Sequence, residues 1–266
     1  MATVLAQAGY DLVLIARRKD RLAAVGDELA KAGAQAEVLV ADLSERAGLR
    51  NVAERAGVGD IDVLVSNAGV GAYGPFAEID PVELEHAWTL NADATPVLAR
   101  AALPGMLERN RGGIITVASM LAFSAGIAAP PTPQGRLMPK RALYVGAKAG
   151  MVAFTRVLAT ELDGTGVHAT VVCPGIVSSE WNGGASQIPN AMTPQDVAHA
   201  AWVGFSQGEV LCLPGLASEE VLDQLAQAER GILGESFGAG LAARYRLENS
   251  ARHRDEKTYD GTATEN

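Results

Sequence analysis

Residues 61–69 read Ile61-Asp62-Val63-Leu64-Val65-Ser66-Asn67-Ala68-Gly69. A short apolar run, β-branched at Ile61, Val63 and Val65 and lacking strict alternation, predicts a strand covered on both faces. It ends in four small residues, where the chain must turn. Working outward, the same unit recurs. Residues 11–16 (DLVLIA), 37–40, 113–118 (GIITVA), 167–173 (VHATVVC) and 209–213 predict further strands. Between and after them, residues 20–32, 44–56, 80–109, 142–163, 194–205 and 218–229 carry helical spacing. Gly33 is placed as a C-cap and Ser44 as an N-cap. Asp80 caps the third helix, with Pro81 in its first turn. Pro96 has no N–H for the carbonyl of Ala92, so that helix is expected to kink or break near 91–96. The opening MATVLAQAGYD reads as a piece of amphipathic helix.

Strands alternating with helices predict an α/β fold, a doubly wound and mostly parallel sheet with helices on both faces. The chain has 266 residues, 48% hydrophobic and 20% charged, which suits one domain over residues 1–248. The polar stretch 249–266 predicts a disordered tail. Residues 129–140, with four prolines, read as a loop insertion. A net charge of −9 argues against a nucleic-acid face and against adsorption on anionic membranes. Two cysteines, Cys173 and Cys212, sit in apolar runs and predict packing roles, with no disulfide framework and no metal site. A reducing, cytoplasmic setting fits. No uninterrupted apolar run approaches the ~20 residues of a membrane span, and the start has no signal-peptide pattern.

Chemistry concentrates at Tyr144-Val145-Gly146-Ala147-Lys148. Residues four apart share a helix face. An ammonium beside a phenol favours the phenolate and is expected to lower the tyrosine from about 10 toward neutrality. That would make Tyr144 a proton donor or acceptor near pH 7. Alone, such a pair also arises on ordinary helix surfaces. Its placement gives it weight. Ser119 follows strand 113–118, Ser66 to Gly69 follow strand 61–65, and residues 174–179 (PGIVSS) follow strand 167–173. Open parallel sheets bind ligands at these carboxyl ends. Asn91 lies mid-helix, where asparagine is unfavourable without another task.

Together these residues resemble the short-chain dehydrogenase/reductase family over roughly residues 6–216. The resemblance implies a Rossmann-like domain that moves a hydride between a nicotinamide and a carbonyl or secondary alcohol. It implies catalytic roles for four residues. Tyr144 would donate the proton, Ser119 would hydrogen-bond the substrate oxygen, Lys148 would bind the nicotinamide ribose and depress Tyr144, and Asn91 would hold a water linking Lys148 to solvent. Asn67, Ala68 and Gly69 resemble the family's Asn-Ala-Gly motif. Pro174, Gly175, Val177 and Ser179 match its Pro-Gly loop, with Ser179 placed against the nicotinamide amide. Asp42 resembles the residue that contacts adenine, with Leu43 beside it. Arg17 and Arg18, after strand 11–16, read either as a solvated basic turn or as partners of a ribose 2′-phosphate. The latter favours NADP(H) over NAD(H), since an NAD site wants an acidic residue there. A small-molecule substrate is expected. The family habit implies a homo-oligomer, pairing helices 81–109 and 142–163.

The sequence departs from the family in one respect. Its Thr-Gly-x3-Gly-x-Gly loop is absent, which leads to the expectation of a truncated amino end lacking the first, central strand. That loop cradles the pyrophosphate, and loss of the strand would leave two inner sheet edges facing one another. Gly69 to Gly74 fit G-x-G-x-x-G, but Pro75 and Phe76 intervene before any helix, so this run reads as a substrate-side loop. A rival reading is a catalytically silent relative or inactive fragment unable to bind the dinucleotide. A serine hydrolase is disfavoured. There is no G-x-S-x-G elbow, and none of His86, His168, His199 and His253 falls at a strand end facing Ser119. Residues 178–192, with Trp181, are read as the substrate loop.

Overall fold

The computed structural model describes residues 1–130, 138–179 and 190–246. Strands β1 (Leu12–Ala16), β2 (Ala36–Val40), β3 (Val63–Ser66), β4 (Gly112–Val117), β5 (Val167–Val172) and β6 (Leu211–Cys212) alternate with helices. These are α1 (Ala2–Gln7), α2 (Lys19–Lys31), α3 (Arg46–Ala56), α4 (Pro81–Trp88), α5 (Ala94–Glu108), α6 (Ala142–Glu161), α7 (Pro194–Ser206) and α8 (Glu220–Ser236). Every ladder is parallel, as helical crossovers require. By Cα proximity the chain falls into two compact units, Met1–Gly215 and Leu216–Asn266. The second holds α8, none of whose residues is buried. The expected tail at 249–266 lies outside the described residues.

The strands form two sheets, β1-β2 and β3-β4-β5-β6, and no ladder joins β1 to β3. Side chains bridge the two instead. Leu49 and Val52 of α3 and Ala94 and Leu98 of α5 form one core with Leu90, Ile15, Leu39 and Leu64. Arg55 of α3 donates to Glu37 on β2 (2.9 Å) and to Asp60 ahead of β3 (2.8 Å). Met1 packs with Val63 and Val65, while Ala2 and Ala6 pack with Leu12 and Leu14. The expectation that β3 is covered on both faces needs correction. Val63, Leu64 and Val65 are only half-buried, because β3 pairs with β4 alone.

The β4–β5 pair forms the best-covered part of the sheet. Period-two alternation sends Ile114, Val167 and Ala169 toward α5 and α6, and Ile115 and Val172 toward α7. Gly113 is required in β4, because a Cβ there would collide with the ring of Phe205 on α7. Both cysteines are buried and unbridged. The α6 helix meets the length and mean hydropathy of a bilayer span, contrary to the reading of the sequence. Alanine, glycine and threonine among its larger residues hid that apolar average. Half of the qualifying window is buried, and that side packs on β4 and β5.

Helix ends follow the sequence with one exception. Asp80 accepts from the amides of Val82 (2.8 Å) and Glu83 (3.2 Å). Ser44 is not an N-cap. Its amide and hydroxyl are both drawn to Asp42 Oδ1 (2.9 and 2.6 Å), so α3 starts later, after Glu45. The expected break is a π-helical turn, Thr89–Asp93, between α4 and α5. It directly precedes Pro96, which cannot donate into a regular α ladder.

Candidate active site

The carboxyl ends of the parallel strands bring the singled-out residues onto one rim. Ser119 follows β4 in an extended conformation (φ −167°, ψ 148°) and caps a short 3-10 turn, its Oγ accepting from the Leu121 amide (3.2 Å). The Ala118 amide donates to the Val172 carbonyl (2.8 Å) and the Met120 amide to that of Pro174 (2.9 Å). Ser119 is thus fixed between β4 and the loop after β5. Tyr144 and Lys148 occupy the first turns of α6, 6% and 2% exposed. The Ser119 side chain hydrogen-bonds to Tyr144. Lys148 Nζ donates to the carbonyl oxygen of Val117 (3.0 Å) and lies 3.4 Å from Met151 Sδ.

The electrostatics correct one expectation. Burial pushes Tyr144 well above the ordinary phenol range, the Tyr73 phenol adds to the rise, and the Ser119 hydrogen bond opposes it. Lys148 does not lower it. Its Nζ lies 6.0 Å from the Tyr144 ring centroid and is turned to the Val117 carbonyl. Burial in turn lowers Lys148 from 10.5 to about 8. The phenol is therefore neutral at pH 7, the form that can donate a proton. Cys173, beside the Ser119 amide, is pushed up by burial to about 12 and is inert as a thiol.

Asn91 is 1% exposed and sits in the π-helical turn. Its Oδ1 accepts from the Val70 amide (3.0 Å) and its Nδ2 donates to the Val70 carbonyl oxygen (2.9 Å). The task that explains a mid-helix asparagine here is thus to clamp the loop after β3. Asn67 and Ala68 stand exposed at the β3 rim, with Gly69 half-buried. Pro174 is buried and the half-buried segment through Ser179 runs beside Met192, with a bridge from Val177 to Met192. Trp181 lies outside the described residues. At the far end of the rim, Arg17 pairs with Asp42 (3.3 Å), and Arg18 is exposed nearby. Partial burial works to raise Asp42, but hydrogen bonds from Ser44 and Arg17 hold it low. Leu43 turns inward to the core.

Sequence reasoning missed two residues. Tyr73 sits against Tyr144, ring centroids 5.0 Å apart. Arg141, just before α6, donates to Ser124 Oγ (2.9 Å) and to the carbonyl oxygen of Ile127 (2.8 Å), tying the segment after Ser119 to the start of the helix. Neither has a spacing signal. A tyrosine between glycines was the one visible hint of the first.

These residues fit a dinucleotide at both ends. Arg17 and Asp42 could serve the adenosine half. Tyr144, Lys148 and residues 174–179 could serve the nicotinamide half, Lys148 being a buried donor aimed at the rim. Among the described residues, no glycine-rich turn opens a helix between them to hold the pyrophosphate.

The comparisons agree with this geometry. The family model described as short chain dehydrogenase matches residues 1–188. A short chain dehydrogenase of Pseudocercospora fijiensis is 35% identical over 180 residues, 66% of this chain and 54% of that protein, so the match spans about half of that relative's length. Ketoacyl reductase HetN of Nostoc sp. is 32% identical over 207 residues, 75% of this chain and 68% of that protein. Among solved structures, a short-chain dehydrogenase from Sphingobium yanoikuyae in complex with NADPH superposes with a TM-score of 0.83 at 29% identity, covering 92% of this chain and 93% of that one. With parallel ladders, a Ser-Tyr-Lys rim and a family match across most of the first unit, the chain belongs to the short-chain dehydrogenase family.

Proposed function

We propose that the protein is an NADP(H)-dependent oxidoreductase that interconverts a carbonyl compound and a secondary alcohol. The observation that carries this is the Ser119–Tyr144 hydrogen bond at the β4 rim, with Lys148 buried one helical turn away. A bound dinucleotide supplies the hydride. The chain's own residues do the rest. Ser119 orients the substrate oxygen beside the phenol. Tyr144, neutral at pH 7, passes its proton to that oxygen in the reducing direction. Lys148, at about 8, is cationic at neutral pH and holds the ribose hydroxyls. Asn91 keeps the loop after β3 in place. Arg17, with a side chain 65% exposed, offers a cation to a 2′-phosphate, which supports NADP(H) over NAD(H). NADPH is also what the Sphingobium relative holds.

A second reading is a silent relative that does not bind the dinucleotide. The missing ladder between β1 and β3 favours it, because pyrophosphate contacts would belong there. One titration decides between them. NADPH and NADH are followed by fluorescence against the purified chain, with Tyr144→Phe alongside. The enzyme reading expects NADPH to bind more tightly than NADH, and Tyr144→Phe to lose about 10²–10⁴-fold in turnover at unchanged NADPH affinity. Full activity in Tyr144→Phe would refute the mechanism, and failure to bind either dinucleotide would leave the silent relative.

A further inference from the structure

The loop from β3 to α4 is pinned at two points. Asn91 clamps Val70, and the Gly74 amide donates to the Lys140 carbonyl oxygen (2.8 Å), just ahead of α6. Gly74 has φ +141°, a conformation that favours glycine, and this sets the direction in which the loop leaves. Between the pins, Tyr73 is laid onto Tyr144. The ring centroids are 5.0 Å apart at 50° between planes, and the two side chains are hydrogen-bonded.

Tyr144 therefore has two hydroxyl partners. Ser119 is the one the proton transfer needs. Nothing in that transfer needs Tyr73. A phenol offers one donor proton and accepts as well, and Tyr73 is half-buried. Once a substrate oxygen takes the Tyr144 proton, the Tyr73 hydroxyl must find another acceptor or stay unsatisfied in a partly dry site. A substrate with a second oxygen close to its carbonyl supplies that acceptor. Two phenols within hydrogen-bond reach of each other match the short separation of such an oxygen pair. A site built to hydrogen-bond a group rejects analogues that lack it.

We propose that Tyr73 is a specificity-determining residue whose hydroxyl binds a second substrate oxygen, so that the site selects carbonyl compounds oxygenated on the adjacent or next carbon. The proposal rests on the oxidoreductase reading of the same site. The loop anchored by Asn91 and Gly74 is then the substrate reader, and Tyr144 and Ser119 are the chemistry it serves.

The test compares 2-butanone, acetoin (oxygens on adjacent carbons) and methyl acetoacetate (oxygens one carbon further apart) in wild type and Tyr73→Phe. NADPH oxidation gives kcat/KM. Ligand-observed NMR gives binding without turnover. In wild type, one of the two oxygenated compounds is expected to exceed 2-butanone at least tenfold in both measurements, and which one does so identifies the spacing. In Tyr73→Phe that ratio is expected to fall about tenfold, mainly through KM. An unchanged ratio, or no preference in wild type, overturns the assignment while leaving the oxidoreductase reading intact. If no carbonyl is reduced at all, the oxidoreductase reading falls, and the NMR ratio alone still decides the role of Tyr73.

Discussion

Lys148 is 2% exposed, and in water its amine would keep its proton up to about pH 10.5. Burial brings that down to about 8. At roughly 1.4 kcal/mol per tenfold change in proton affinity, a drop from 10.5 to about 8 corresponds to roughly 3 kcal/mol of native stability forgone. Between pH 8 and 10.5 the unfolded chain keeps a proton that the folded chain has released, so native stability climbs across that window. Below it the whole penalty applies. Lys148→Met keeps an unbranched side chain and deletes the charge. It also loses the hydrogen bond to the Val117 carbonyl oxygen (3.0 Å), worth about 1 kcal/mol. The variant is therefore expected to be about 2 kcal/mol more stable at pH 7, with Tm higher by roughly 4 °C for a chain of this size, and catalytically dead. Urea unfolding followed by tryptophan fluorescence, at pH 7 and pH 10 for both proteins, reads the difference. The gap should close by pH 10. A gap of the same size at both pH values, or a variant less stable at pH 7, would show that burial does not perturb this amine.

Three further outcomes follow from single contacts. Thr116 is 0% exposed, and among the described residues its Oγ1 is the one buried side-chain polar atom without a hydrogen-bond partner. Thr116→Val is expected to raise stability by about 1 kcal/mol in urea unfolding, and a loss would point to a bound water there. Asn91→Ala removes both hydrogen bonds to Val70, so it should cost about 1–3 kcal/mol and lower kcat/KM by releasing the loop that carries Tyr73. Unaltered kinetics in a folded Asn91→Ala protein would deny the clamp its role. Gly113→Ala drives a methyl into the Phe205 ring and is expected to cost about 1–3 kcal/mol, whereas the double variant with Phe205→Leu should recover part of that loss.

Strands and helices were legible because burial writes itself into apolar spacing. The runs 113–118 and 167–173 became β4 and β5 almost to the residue. Asp80-Pro81 announced a helix start that the structure keeps. The rim position of Ser119, Tyr144 and Lys148 also followed, since parallel strands dictate where their carboxyl ends meet. What failed depended on competition in three dimensions. Ser44 looks like a cap, but Asp42 two residues earlier takes its donors. The tyrosine–lysine spacing fixed a shared helix face but could not show that Lys148 would turn to a strand carbonyl. Tyr73 lies 71 positions before Tyr144, so no local pattern could join them. Arg141 was equally silent, because its partners are main-chain carbonyls, which any sequence offers.

The absence of a ladder between β1 and β3 has a dynamic consequence. Backbone hydrogen bonds transmit strain along a sheet, rung by rung. Here that transmission stops at a seam held by leucines and by one arginine wedged between two carboxylates. A fluctuation that peels away the β1-α2-β2 segment need break no amide pairing in the β3–β6 plate, so the segment can open as a cooperative unit of its own. Hydrogen exchange should then show two classes of protected amide, with those of Leu12 to Val40 exchanging at a lower free-energy cost than those of Ile114 or Val171. Any elongated ligand laid across the seam would act as a splint, and would slow the first class far more than the second.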